Sequence, residues 1–112
     1  MSEKRLFERA EYEGTARVRM GAKEWEVQVG DLSVGGAYVL TTETVDFGAP
    51  VTLILDLPAL SSMGKGNALL TGTIRWIRQD GFGIQFGPTG ALVTYALAEY
   101  VARKHAIIPP GK

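Results

Sequence analysis

The chain has 112 residues, with twelve basic and twelve acidic side chains, one histidine and no cysteine. Disulfides, thiolate nucleophiles and cysteine-ligated metal centres are therefore excluded, and a formal net charge of zero lacks the basic excess with which a sequence-independent nucleic-acid binder neutralises many phosphates. A hydrophobic share of 46% beside a charged share of 21% is ordinary for a single globular domain with one core. No apolar run approaches the roughly eighteen residues of a membrane span, and the charged N-terminus has no apolar stretch of the kind a secretory signal needs. The expectation is a cytoplasmic protein with no membrane insertion.

Residues 1–14 mix charges with Leu6, Phe7 and Tyr12 and show no strand period, so they read as a flexible, mobile or loosely docked arm. A domain over 15–105 and a short tail over 106–112 follow. From Thr15, Ala16, Val18 and Met20 alternate with Arg17 and Arg19, the pattern of a half-buried strand. Gly21-Ala22 supplies a turn. Trp25, Val27 and Val29 then alternate with Glu24, Glu26 and Gln28 in a second strand that stops at Gly30 and closes a hairpin.

Next comes Asp31-Leu-Ser-Val-Gly-Gly36, read as a loop. "AYVLTT" is a third strand, "ETVDFGAP" a reversal, and "VTLILDL" a fourth strand, too short and too β-branched for a helix, ending at Pro58. "PALSSMGKGN" reads as a flexible connection. In "ALLTGTIRWIRQ", a long strand, Leu70, Ile74 and Trp76 share one face with Gly72, where another strand or a large ring can approach closely. "QDG" turns into a sixth strand, "FGIQF". Beyond Pro88 the period changes: Leu92, Val93, Ala96, Leu97, Tyr100 and Val101 recur at three and four residues, an amphipathic helix with Arg103, Lys104 and His105 near its C-terminal end. Six short antiparallel strands and one helix predict an all-β-dominated fold, a six-stranded antiparallel β-barrel with a C-terminal α-helix, because closure removes exposed edges. A split sandwich is the alternative.

Two motifs carry chemistry. Asp31-Leu-Ser-Val-Gly-Gly36 offers backbone N–H groups around Gly35 and Gly36 that can form a concave anion site, with the Ser33 hydroxyl as a further donor to phosphate. The Asp31 carboxylate has two oxygens at the spacing of guanine's N1–H and N2 donors. In the arm, Arg5 and Arg9 stand four apart; an arginine bonds bidentately to guanine O6 and N7 or lies flat on a purine ring. Together these groups suit a guanine nucleotide with more than one phosphate.

The arrangement resembles the PilZ domain family. Arg5 and Arg9 match its RxxxR element, and Asp31, Ser33 and Gly36 match its (D/N)xSxxG element. "GTIRW" (72–76) and "GIQF" (83–86) follow in the family's order. The resemblance implies a six-stranded barrel with a C-terminal helix and binding of cyclic di-GMP, a bacterial second messenger, at Arg5, Arg9, Asp31, Ser33, Gly35 and Gly36. Lys4 stands where many members carry another arginine, and meets phosphate as a point charge.

Other residues read as structural. Trp25 and Trp76 alternate with strand apolar positions and are assigned to the core, His105 to the helix terminus, and Glu24 and Glu26 to a solvated strand face. No residue set suggests catalysis, a cofactor or a metal site. The functional expectation is a receptor whose arm orders over the barrel when cyclic di-GMP binds, passing the signal to a protein effector such as a motility or pilus component, with no DNA or RNA partner. The alternative is an adaptor that works through such partners without nucleotide.

Overall fold

A computed structural model describes residues 10–106, with side chains through Lys104. The strands are β1 (Ala16–Met20), β2 (Lys23–Leu32), β3 (Gly36–Leu40), β4 (Pro50–Leu55), β5 (Ala68–Arg78) and β6 (Gly81–Phe86). Two helices accompany them, α1 (Pro58–Ser62) and α2 (Ala91–Ala106). The strands close into a barrel in the order β1-β2-β3-β6-β5-β4, antiparallel throughout. Closure runs through β1, whose Val18 stands opposite Trp25 of β2 on one side and Leu53 of β4 on the other. The expected barrel and C-terminal helix are thus present.

Alternation explains the core. Val18, Leu32, Val39, Leu53, Leu70, Ile74, Phe82 and Ile84 are completely shielded, while Arg17, Arg19, Glu24 and Glu26 lie on the outside. Each buried aliphatic or aromatic side chain contributes roughly 1.5–3 kcal/mol before chain entropy is counted. On the helix, Ala96, Leu97, Tyr100 and Val101 join the core cluster of the barrel, and α2 packs against α1, whose Leu60 belongs to the same cluster. Gly72 does permit a close approach: a Cβ there would collide with the Gln85 carbonyl oxygen.

Four local expectations are corrected. β2 does not stop at Gly30; the register shifts between Val29 and Asp31, and this bulge lets the ladder continue through Leu32. The connection after Leu57 is not simply flexible, because Pro58 starts a short helix and Leu60 is buried beneath it. A second register shift, between Ile74 and Trp76, turns Trp76 outward, where it is 50% exposed instead of lying in the core. Finally, the last part of the expected loose arm is docked, since Ala10 and Tyr12 are both buried. Trp25 is half-buried, as a core-facing residue at the barrel's other end, with Nε1 donating to Thr41 Oγ1 at 3.1 Å.

Candidate functional site

The β2–β3 hairpin is held by its own serine. Ser33 N–H donates to Gly36 O at 2.9 Å. Its hydroxyl oxygen accepts the N–H groups of Gly35 at 3.1 Å and Gly36 at 3.2 Å, and donates to Gly36 O at 3.3 Å. Ser33 is the one buried polar residue among those described, and these bonds explain how it is tolerated there. The N–H groups expected to cradle a phosphate are therefore turned onto Ser33 Oγ, and the hydroxyl expected to reach a phosphate oxygen is engaged within the turn.

Gly36 has a separate reason. It begins β3 opposite Gln85 of β6, and a Cβ on it would collide with the Ile84 carbonyl oxygen. Phe86 N–H donates to Gly35 O at 2.9 Å, which fixes the turn against the end of β6. Asp31 is half-buried and lies one residue before inward-facing Leu32, so strand alternation puts its carboxylate on the outer face.

The register carries this outer row across the barrel wall. Asp31 stands opposite Tyr38, Tyr38 opposite Gly83, and Gly83 opposite Trp76. The Trp76 indole occupies the space over Gly83, where any Cβ would collide with the ring. Tyr38 donates its hydroxyl to Asp80 Oδ1 at 2.5 Å, and the Arg78 guanidinium lies 5.9 Å from the centre of its ring. Burial and then the Asp80 carboxylate push the Tyr38 phenol up to about 12. Arg75 Nε donates to Gln85 Oε1 at 2.9 Å. The wall thus presents aromatic faces and two guanidiniums in line with Asp31.

The arm's root meets the same hairpin. Ala10 N–H donates to Leu32 O at 2.9 Å and Leu32 N–H to Ala10 O at 2.7 Å, an antiparallel bridge directly beside Asp31 and Ser33. Tyr12 locks the next step: its hydroxyl donates to Asp56 O at 2.6 Å and accepts from Asp56 N–H at 3.2 Å. Tyr100 of α2 donates to Glu11 O at 3.1 Å and accepts from Glu13 N–H at 3.3 Å, with the two tyrosine rings 5.5 Å apart. Lys104 closes the clasp on Glu13 at 3.1 Å, and that carboxylate raises the lysine pKa above its ordinary value.

Lys4, Arg5 and Arg9 lie outside the described residues. Arg9 immediately precedes Ala10 in the chain, and the bridge sets Ala10 beside Leu32. Of the residues expected to bind ligand, the structure brings Asp31, Ser33, Gly35 and Gly36 together. Tyr38 and Trp76 stand beside them on the outer row; periodicity puts Trp76 in the core because the bulge after Ile74 reverses its face. The available signal was the break in alternation at Ile74-Arg75-Trp76-Ile77 opposite a glycine-alternating strand. A shallow groove elsewhere, between Trp25, Gln28 and Leu40, carries Glu26 and Glu43 and is poorly suited to an anion.

A family model for the PilZ domain matches residues 3–102, taking in both motifs. Among solved structures, the Bacillus subtilis inhibitor of motility MotI/DgrA is similar in fold, with a TM-score of 0.75 at 17% sequence identity. The match covers 97% of this chain and 55% of that one, so this chain spans little more than half of that protein's length. A comparison with curated proteins finds no match. With a family match across most of its length and the closed six-stranded barrel to go with it, the chain belongs to the PilZ domain family.

Proposed function

We propose that this chain is a non-catalytic receptor for cyclic di-GMP, and the observation that carries the reading is the Ala10–Leu32 bridge. It sets Ala10, the residue that follows Arg9 in the chain, against the last residue of the strand that bears Asp31. In this reading the arm arginines meet guanine and phosphate, Lys4 adds a point charge, and the Asp31 carboxylate accepts the guanine N1–H and N2 donors. Ser33, Gly35 and Gly36 hold the hairpin that aims Asp31. Trp76 and Tyr38 offer ring faces in the same row, and a base gains roughly 1–3 kcal/mol by stacking on such a face.

Ligand binding then orders the arm over the barrel wall and changes the surface seen by a protein effector. The structural similarity to an inhibitor of motility makes a motility component a reasonable first partner to test. Isothermal titration with cyclic di-GMP, with GTP as control, tests the reading. Saturable binding in the micromolar range or tighter is expected, and Arg9→Ala removes a charged contact of about 2 kcal/mol, about thirtyfold in affinity.

One observation favours a second reading, an adaptor that works without nucleotide. The Ser33 and Gly36 positions of the motif are accounted for by the hairpin's own hydrogen bonds and by the close approach of Ile84. Absence of heat with cyclic di-GMP, together with an unchanged melting temperature, selects it.

A further inference from the structure

Among the described residues the barrel wall has a short open edge on β5. β5 runs to Arg78, but β4 pairs with it only from Ala68 to Thr73. The loop before β4 extends this pairing by one step, with Gly48 N–H on Ile74 O at 2.8 Å and Ile74 N–H on Ala49 O at 3.0 Å. Beyond Ile74 no strand among the described residues neighbours the far side of β5. On β6, Phe86 N–H points to β3 and Gly87 N–H to β5, so alternation directs the polar groups of Gly83 and Gly81 toward β5. Trp76 and Arg78 stand opposite these two glycines, and Ile77 stands opposite Phe82. The backbone N–H and C=O of Ile77 therefore face away from β6, onto the open edge.

The side chains around that edge are distinctive. Arg75, Trp76, Ile77 and Arg78 are all exposed, Ile77 at 48%, and Phe47, one residue before Gly48, is 66% exposed. Arg17, Arg19, Lys23, Arg103 and Lys104 are each ion-paired, whereas no carboxylate among the described residues lies within ion-pair distance of Arg75 or Arg78. Asp80, the nearest acid in sequence, is bonded to Tyr38. In a chain of zero net charge, two unneutralised arginines flank an exposed apolar pair.

We propose that this edge docks an extended segment of a partner protein whose side chains alternate apolar and acidic. Strand addition satisfies the Ile77 N–H and C=O, apolar partner residues cover Phe47 and Ile77, and carboxylates meet Arg75 and Arg78. Charge selects this occupant over a second copy of the chain: an isologous antiparallel pairing through Ile77 sets Arg78 of one copy opposite Trp76 of the other and Arg75 opposite Gln79, so a second copy brings no carboxylate opposite either arginine, whereas an acidic segment does. The surface goes beyond the nucleotide reading and does not depend on it.

The test uses the full chain without nucleotide and a short synthetic peptide alternating valine and glutamate, with a valine–lysine peptide as control. The glutamate peptide is expected to bind saturably and to slow exchange of the Ile77 amide by about tenfold or more, with the lysine peptide inert. Arg78→Glu, a surface change, is expected to weaken binding about tenfold. Ile77→Pro deletes the edge donor without removing a ladder bond and should abolish binding at an unchanged fold. Equal binding of the lysine peptide, an unaltered Ile77 amide, or indifference to Arg78→Glu overturns the proposal. So does sedimentation showing peptide-free dimers that Arg78→Glu dissociates, which assigns the edge to a second copy.

Discussion

Ala10 and Leu32 exchange two backbone hydrogen bonds, at 2.9 and 2.7 Å, and so pin the start of the arm to the last residue of β2. One bond is removable without changing a side chain of the hairpin. Ala10→Pro deletes the donor to Leu32 O, a net loss of about 1 kcal/mol, which lowers the melting temperature by about 4–8 °C in a domain near this size. Affinity for cyclic di-GMP is expected to fall further than stability does, because the direction of the arm is lost. Titration alongside thermal melting checks this; full affinity in a folded Ala10→Pro variant would show that the bridge does not position the arm.

Ser33→Ala leaves the Gly35 and Gly36 N–H groups without their acceptor in a part-buried turn. Orphaned donors of this kind cost about 1–3 kcal/mol. Urea denaturation should show that loss in Ser33→Ala and a smaller one in Ser33→Thr, which keeps the oxygen. If Ser33→Ala instead matched the parent in stability while losing ligand, the hydroxyl would act on the ligand and not on the turn.

Gly36→Ala drives a methyl group into the Ile84 carbonyl. Backbone on that side belongs to β6 and cannot swing away as a side chain would, so the expected penalty is that of overpacking, about 1–3 kcal/mol. Equilibrium unfolding measures it. A fully stable Gly36→Ala protein would mean that the β3–β6 separation is set less tightly than the contact indicates.

The strand count, the closed barrel and the C-terminal helix were legible because Val18, Val27, Leu53, Leu70 and Ile84 sit on a clean two-residue period, and Ala96, Leu97, Tyr100 and Val101 on a helical one. Two bulges set the limit. Each inserts one residue that periodicity cannot register, so the pattern alone ends β2 at Gly30 and turns Trp76 inward. The arm's root was hidden for another reason. Ala10 bonds through its backbone, and Tyr12 finds Asp56 and Tyr100 from 44 and 88 residues away, contacts that leave no local pattern. The chemistry of the DLSVGG segment was read from its donors; the fold shows those donors turned on one another.

Trp76 separates ligand binding from stability. Half of its surface is exposed, and the ring lies over Gly83. Trp76→Ala should therefore cost less stability than the removal of a fully buried aromatic such as Phe82. If a guanine stacks there, affinity for cyclic di-GMP falls by roughly 1–3 kcal/mol, fivefold or more. The intrinsic fluorescence of Trp76, isolated in a Trp25→Phe background, should respond to ligand. Unchanged affinity and unchanged emission would place the base elsewhere on the wall.

Tyr38 gives the pH dependence. Its phenol, held neutral first by burial and then by Asp80, titrates at about 12 in the folded chain, whereas an unfolded tyrosine titrates near 10. A raised folded-state value stabilises the fold fully below the unfolded pKa, and that contribution is lost as pH rises from about 10 through about 12, when the folded protein also gives up the proton. Stability should thus decline across this window, and Tyr38→Phe should flatten that part of the profile. Asp80→Asn removes the carboxylate but leaves the burial, so it should bring the phenol only part of the way back toward 10. Near-ultraviolet titration of tyrosinate, taken as the difference between the parent and Tyr38→Phe, reads the shift directly. A Tyr38 that ionises with the unfolded-state value would show that neither the burial of its ring nor the Asp80 bond holds in solution.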